Sequence, residues 1–143
     1  MSILKKENIV LNSNVSGKEE AIKMAGQILV DQGYVSADYI PAMLQREQLS
    51  STYMGNFLAI PHGTDEAKTA VLNSGLSVVQ VPNGIDFGDG NIVKLLVGIA
   101  GKDGEHLELL SQIAIVCSEV ENVEKLVAAK SEEEVIQILS EVN

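Results

Sequence analysis

The sequence predicts a single α/β domain in which helices cover both faces of a small mixed β-sheet. Helical and extended apolar patterns alternate along the whole chain instead of separating into halves. The run IVKLLVGIA (residues 92–100) is nearly all apolar, as a central strand covered on both faces requires. Two Ser-x-x-Glu helix-start signals, at Ser16 and Ser131, flank this pattern. The prolines at 41, 61 and 82 fall at element edges, and neither a linker nor a fixed repeat period interrupts the chain, so residues 1–143 read as one domain.

Residues 8–12 (NIVLN) form a short apolar run bounded by asparagines, a strand or a docking segment. Ser16-Gly17-Lys18-Glu19 is read as a capping box, after which Ile22, Ala25, Ile28 and Leu29 recur at helical spacing until Gly33 stops the helix. A second helix starts near Ser36 or Asp38 and runs through Met43, Leu44 and Arg46 to Gln48, with Pro41 in its first turn, where a missing N–H costs least. Tyr53 and Met54 read as packing residues. The run 57–60 (FLAI), entered from Gly55 and ended by Pro61, is a buried strand that delivers His62-Gly63. A helical turn follows over 64–70. Leu76, Val78 and Val81 mark a strand that PNGIDFGDGN separates from the 92–100 strand. Asp103 or Gly104 opens a helix through Leu107, Leu110, Ile113, Ala114 and Cys117, followed by a helix over 120–129. The last helix begins at the Ser131 box, with Val135, Ile138 and Leu139 on one face.

A chain of 143 residues with 45% hydrophobic content can bury roughly 68–70% of its unfolded surface, enough for a core without disulfide or metal. Cys117 is the only cysteine, which excludes an intramolecular disulfide and a cysteine-rich zinc site. Its apolar surroundings, IAIVCSEV, mark it as a buried structural thiol. A net charge of −10 and an aromatic content of 3% offer neither a basic face nor stacking platforms for nucleic acid. No window approaches the ~18 apolar residues of a membrane span, and MSILKKENIVLN turns polar too soon for a secretory signal. A cytoplasmic protein that does not insert into membranes is expected.

The chain holds one arginine and two histidines, so chemistry-bearing residues are few. His62 stands where a strand end opens into a glycine loop, a place where a side chain is held rigidly yet reaches solvent. Gly63 lets a bulky group approach the backbone, and the N–H groups of the turn beyond are possible anion donors. Pro61-His62-Gly63 is also readable as plain turn punctuation around an ordinary loop histidine. His106 falls in the first turn of a helix, where the dipole disfavours imidazolium and leaves a neutral ring able to donate a hydrogen bond or attack; a half-exposed helix-start histidine fits the same position. Arg46, 16 residues before His62, is a fork suited to phosphate or, beside Glu47, an exposed ion-paired side chain. The two histidines stand 44 residues apart without any His-x-x-x-His or Glu-x-x-His pair, so a metal site is not expected. GIDFGDG and GIAGKDG match neither the P-loop nor the dinucleotide fingerprint, and no Gly-x-Ser-x-Gly elbow occurs.

The segment Met54-Gly55-Asn56-Phe57-Leu58-Ala59-Ile60-Pro61-His62-Gly63-Thr64 resembles the active-site stretch of the mannitol/fructose class of enzyme IIA domains of the bacterial phosphoenolpyruvate-dependent sugar phosphotransferase system. The likeness extends through Glu7-Asn8-Ile9, Lys18-Glu19-Glu20-Ala21-Ile22, Gly33-Tyr34-Val35, Ala42-Met43-Leu44, Arg46-Glu47, Glu66-Ala67-Lys68 and Glu105-His106. Thr52-Tyr53 and Val81-Pro82 resemble the mannitol-specific branch. The resemblance implies that His62 takes a phosphoryl group from phosphorylated HPr on Nε2 and passes it to a cysteine of the mannitol-specific IIB domain of the IIB/IIC permease, without a cofactor. It implies Arg46 as the phosphate-stabilising arginine, His106 as the second active-site histidine, and Glu47, Thr52, Gly63 and Thr64 as supporting or loop residues. Such chemistry asks mainly for positioning and for donors around the equatorial oxygens. The alternatives are a fructose-specific or regulatory, nitrogen-related domain of the same fold, or a carbohydrate-binding module without catalysis. The resemblance also implies a five-stranded mixed sheet, one strand more than the residues reveal, which places the fifth at the start or around residues 85–87. Opening at Met1 without a linker, the chain is expected to be a free-standing subunit.

Overall fold

The structure is a computed structural model and describes residues 3–140. Five strands, β1 (Ile9–Val10), β2 (Tyr53–Gly55), β3 (Leu58–Ala59), β4 (Gly75–Asp86) and β5 (Ile92–Ala100), form one sheet in the order β1-β4-β5-β3-β2. β1 runs parallel to β4 and β3 parallel to β5, whereas β4–β5 and β2–β3 are antiparallel. The sheet is therefore mixed, as the sequence predicts. Its fifth strand is β2, not the start of the chain or residues 85–87. Three residues with a register shift against β3 leave no alternation to read. Residues 82–86 belong to β4, whose register breaks between Gln80 and Ile85 at a bulge where Gly84 takes φ 78°. Pro82 is tolerated in this interruption of the ladder.

Helices α1 (Lys18–Asp31) and α2 (Tyr39–Leu49) pack on one face, and α3 (Glu105–Cys117), α4 (Val120–Ala128) and α5 (Glu132–Ile138) on the other. Alternation along β5 sorts the core: Leu96 and Ala100 join Ile22, Leu29 and Met43, while Leu95, Val97 and Ile99 join Ile113, Val123, Leu126 and Val135. The α1 start differs from its predicted capping box. Gly17 is the N-cap and makes no side-chain bond, and it is Glu20, not Glu19, that accepts from Ser16 N–H (3.2 Å) and Ser16 Oγ (2.5 Å). With the helix starting one residue later, Glu20 takes the third helical position, from which such a side chain reaches back. At Ser131 the box forms half as expected, Oγ accepting from Glu134 N–H.

Gln80 is a polar residue buried in β4. Its Nε2 donates to Leu126 O (2.8 Å) and Ala129 O (2.9 Å), and its Oε1 accepts from Asn12 N–H (2.9 Å). It thereby satisfies end carbonyls of α4, which cost about 1–3 kcal/mol each when buried without a partner. Cys117 is buried, and burial pushes its thiol up to about 11, in keeping with a structural role. No helix among the described residues is long and apolar enough to cross a membrane.

Candidate active site

β3 ends at Ala59, and Pro61 cannot continue a ladder because it lacks an N–H, so the chain leaves the sheet at His62. The departure is guided, since Ile99 N–H of β5 donates to Pro61 O (2.9 Å) and His62 forms an isolated parallel bridge with Ile99. The His62 ring is half-buried, with Nδ1 2.8 Å from Ile60 O. A carbonyl only accepts, so Nδ1 carries the proton and Nε2 keeps the lone pair. Burial holds the imidazole pKa below its ordinary value of 6.5; the bond to Ile60 opposes this, and the charges of Arg46 and His106 add to it. At neutral pH the ring is therefore an uncharged nucleophile.

This carries a sign. An unfolded chain binds the proton near pH 6.5 and the folded one only below that, so the group's contribution to stability is lost as pH falls from 6.5 through the folded value. The rate of any reaction in which the Nε2 lone pair attacks should stay level from pH 8 to about 6.5 and decline only below it.

His62, Gly63 and Thr64 open into a cleft of about 620 Å³ that Arg46 and His106 also line. Arg46 comes from the last turn of α2 and His106 from the first turn of α3, so elements on opposite faces of the sheet converge on the loop between them. Arg46 Nη1 donates to Ser50 O (2.8 Å) and Ser50 Oγ (3.2 Å), which leaves Nε and Nη2 for an anion in the cleft. His106 is held where strand end and helix start nearly touch: a Cβ on Gly101 would stand 2.0 Å from His106 N. Gly101→Ala should push the first turn of α3 outward, destabilising the fold by roughly 1–3 kcal/mol in denaturant titrations and slowing any step that uses His106.

Glu47 and Thr52 do not line this cleft. Glu47, buried, accepts from Thr52 N–H (2.9 Å) and Thr52 Oγ1 (2.6 Å) and pairs with Lys18 Nζ (2.9 Å). Burial raises its pKa, but the hydrogen bonds from Thr52, Lys18 and Ser51 prevail and hold it below the usual range. The pair ties α1 to α2 and, through Thr52, to the segment that follows α2.

The sequence reading missed two features. Met54, expected in the core, is 47% exposed and lines the cleft with Leu49 (72%) and Leu107 (63%), an apolar rim around the polar centre. Positive φ at Gly55, Asn56 and Phe57 turns β2 into β3 at once, and leaves Met54 pointing outward from an edge strand. Tyr39 was not singled out, yet its hydroxyl accepts from Gly63 N–H (2.9 Å). Among the described residues no group of three or more His, Cys, Asp or Glu side chains gathers as a metal site needs.

Residues 2–142 match the family model described as "Phosphoenolpyruvate-dependent sugar phosphotransferase system, EIIA 2". The chain is 66% identical over 143 residues to the mannitol-specific phosphotransferase enzyme IIA component of Geobacillus stearothermophilus, covering 100% of this chain and 99% of that protein. It is 62% identical to the protein of the same name from Bacillus subtilis, with 100% of both chains covered. Among solved structures, the complex of enzyme IIAMTL and phosphorylated enzyme IIBMTL from Escherichia coli superimposes with a TM-score of 0.91 at 39% identity, over 96% of this chain and 97% of that one.

Proposed function

The chain belongs to the EIIA 2 family of the phosphoenolpyruvate-dependent sugar phosphotransferase system, and from that premise we propose that it is a phosphocarrier of mannitol uptake, taking a phosphoryl group from phosphorylated HPr and passing it to a cysteine of the mannitol-specific IIB domain. The observation that carries the site assignment is the His62 Nδ1–H bond to Ile60 O, which leaves the Nε2 lone pair to the cleft that Arg46 and His106 share.

In the first step Nε2 attacks phosphorus as the bond to the HPr group that carried it breaks. In the second, the IIB thiolate attacks and the electron pair of the N–P bond returns to Nε2, restoring the neutral ring. Nothing is oxidised or reduced. The proton stays on Nδ1, donated to Ile60 O, throughout, so the ring needs no base. Arg46 and His106 supply positive charge and donors to the equatorial oxygens, where phosphoryl transfer takes most of its stabilisation. The apolar rim of Leu49, Met54 and Leu107 is where each protein partner seats, and the chain's net charge of −10 suits a basic partner surface. Residues 1–143 act as one domain in the cytoplasm.

The test is incubation with phosphoenolpyruvate, enzyme I and HPr, followed by phosphorus NMR. One acid-labile phosphate per chain is expected; none at all would overturn the assignment. Transfer onward to a mannitol-specific IIB should outpace transfer to a fructose-specific one, and the opposite order would favour the fructose branch. The nitrogen-related regulatory alternative is disfavoured by the 66% and 62% identity with mannitol-specific proteins.

A further inference from the structure

The loop that presents His62 is fastened on both sides to one residue of β5. Before His62, Pro61 O accepts from Ile99 N–H (2.9 Å). After it, Gly63 N–H donates to the Tyr39 hydroxyl (2.9 Å), and that hydroxyl donates to Ile99 O (2.8 Å). A phenol accepts one hydrogen bond while donating another, so a single group bridges loop and strand where the backbone ladder has ended. Tyr39 is 4% exposed, and its ring lies so close beneath the loop that a Cβ on Gly63 would stand 2.6 Å from Tyr39 Cε1. Burial pushes the phenol pKa up, so the hydroxyl keeps the proton it donates.

Tyr39 also opens α2, the helix that carries Arg46. As residues i and i+7, the two lie on one face of the helix, one gripping the loop and the other reaching the cleft. With Gly63 N–H engaged inward, that amide is not a donor to an anion in the cleft, and the spacing of α2 from the loop sets how Arg46 meets a group on His62.

We propose that Tyr39 is a positioning residue of the site: its hydroxyl, bridging Gly63 N–H and Ile99 C=O, locks the Arg46 helix and the His62 loop to the central strand in one register. This rests on the cleft being the phosphoryl site. Tyr39→Phe keeps the ring and removes only the bridge. In that variant phosphoryl uptake should slow on the order of tenfold with the final labelling unchanged, and nitrogen NMR of the unphosphorylated His62 ring should show a mixture of tautomers in place of Nδ1–H alone. In an Arg46→Ala background the same change should slow transfer less than it does in wild type.

A rate within twofold of wild type together with an unaltered tautomer signal overturns the proposal, and equal slowing in both backgrounds removes the link to Arg46. In the wild-type protein the Gly63 amide should be protected from hydrogen exchange, and exchange at open-loop rates overturns the proposal even if the variant does not fold. If the wild-type chain takes no phosphate, the reading of the cleft fails, while the tautomer and exchange measurements still decide whether the bridge holds the loop.

Discussion

His62→Ala is expected to abolish phosphoryl uptake from phosphorylated HPr while leaving the fold intact. The side chain is half-buried at the rim of a cleft, and the main-chain bonds that shape the loop, Ile99 N–H to Pro61 O and Gly63 N–H to Tyr39, do not pass through the imidazole. Nothing else in the cleft offers an equivalent lone pair. His106 lies at the dipole-positive start of α3 and lacks the Ile60-type carbonyl anchor that fixes the His62 tautomer. The check is acid-labile phosphate by phosphorus NMR or labelled phosphoenolpyruvate. A His62→Ala chain that still acquires the label would place the carrier elsewhere.

Arg46→Ala should leave the chain able to take up phosphate but slow its passage to IIB by roughly a hundredfold, the size of losing one preorganised donor at the charge that develops in transfer. The donors on Nε and Nη2 are free in the cleft and Glu47 steadies the helix behind, so truncation removes stabilisation of the transferring group without unsettling the core. His106→Ala should cost less, about tenfold, because one imidazole donor is lost in place of a charged fork. Rapid-quench transfer to IIB measures both. Rates equal to wild type in the two variants would make these residues bystanders.

The helices and the central strand were legible because their signals are local and long. Ile92–Ala100 is apolar but for Lys94, and α1 and α3 carry clear periodicity. The strand end before His62 was legible because Pro61 and Gly63 mark where a strand must stop, whereas the role of the ring came only through the family resemblance. What escaped depends on partners far away in sequence. β2 exists only by pairing with β3 across a turn of three positive-φ residues, and no three-residue segment announces that. Tyr39 looks like a core aromatic at a helix start until the fold sets it against Ile99, 60 positions on. Met54 looks apolar and therefore buried, although an edge strand shows one side to solvent. The Ser16 box failed by one residue, since Glu19 and Glu20 are equally good acids and only the true helix start chooses between them.

The cleft takes one member from each layer: Arg46 from α2 on one face of the sheet, His106 from α3 on the other, and His62 from the sheet's end between them. The two layers pack their cores on opposite faces of one shared sheet, so a local opening of either displaces the helix it carries. Either opening carries away one of the three side chains. The cleft is therefore complete only while both layers are docked on the sheet at once.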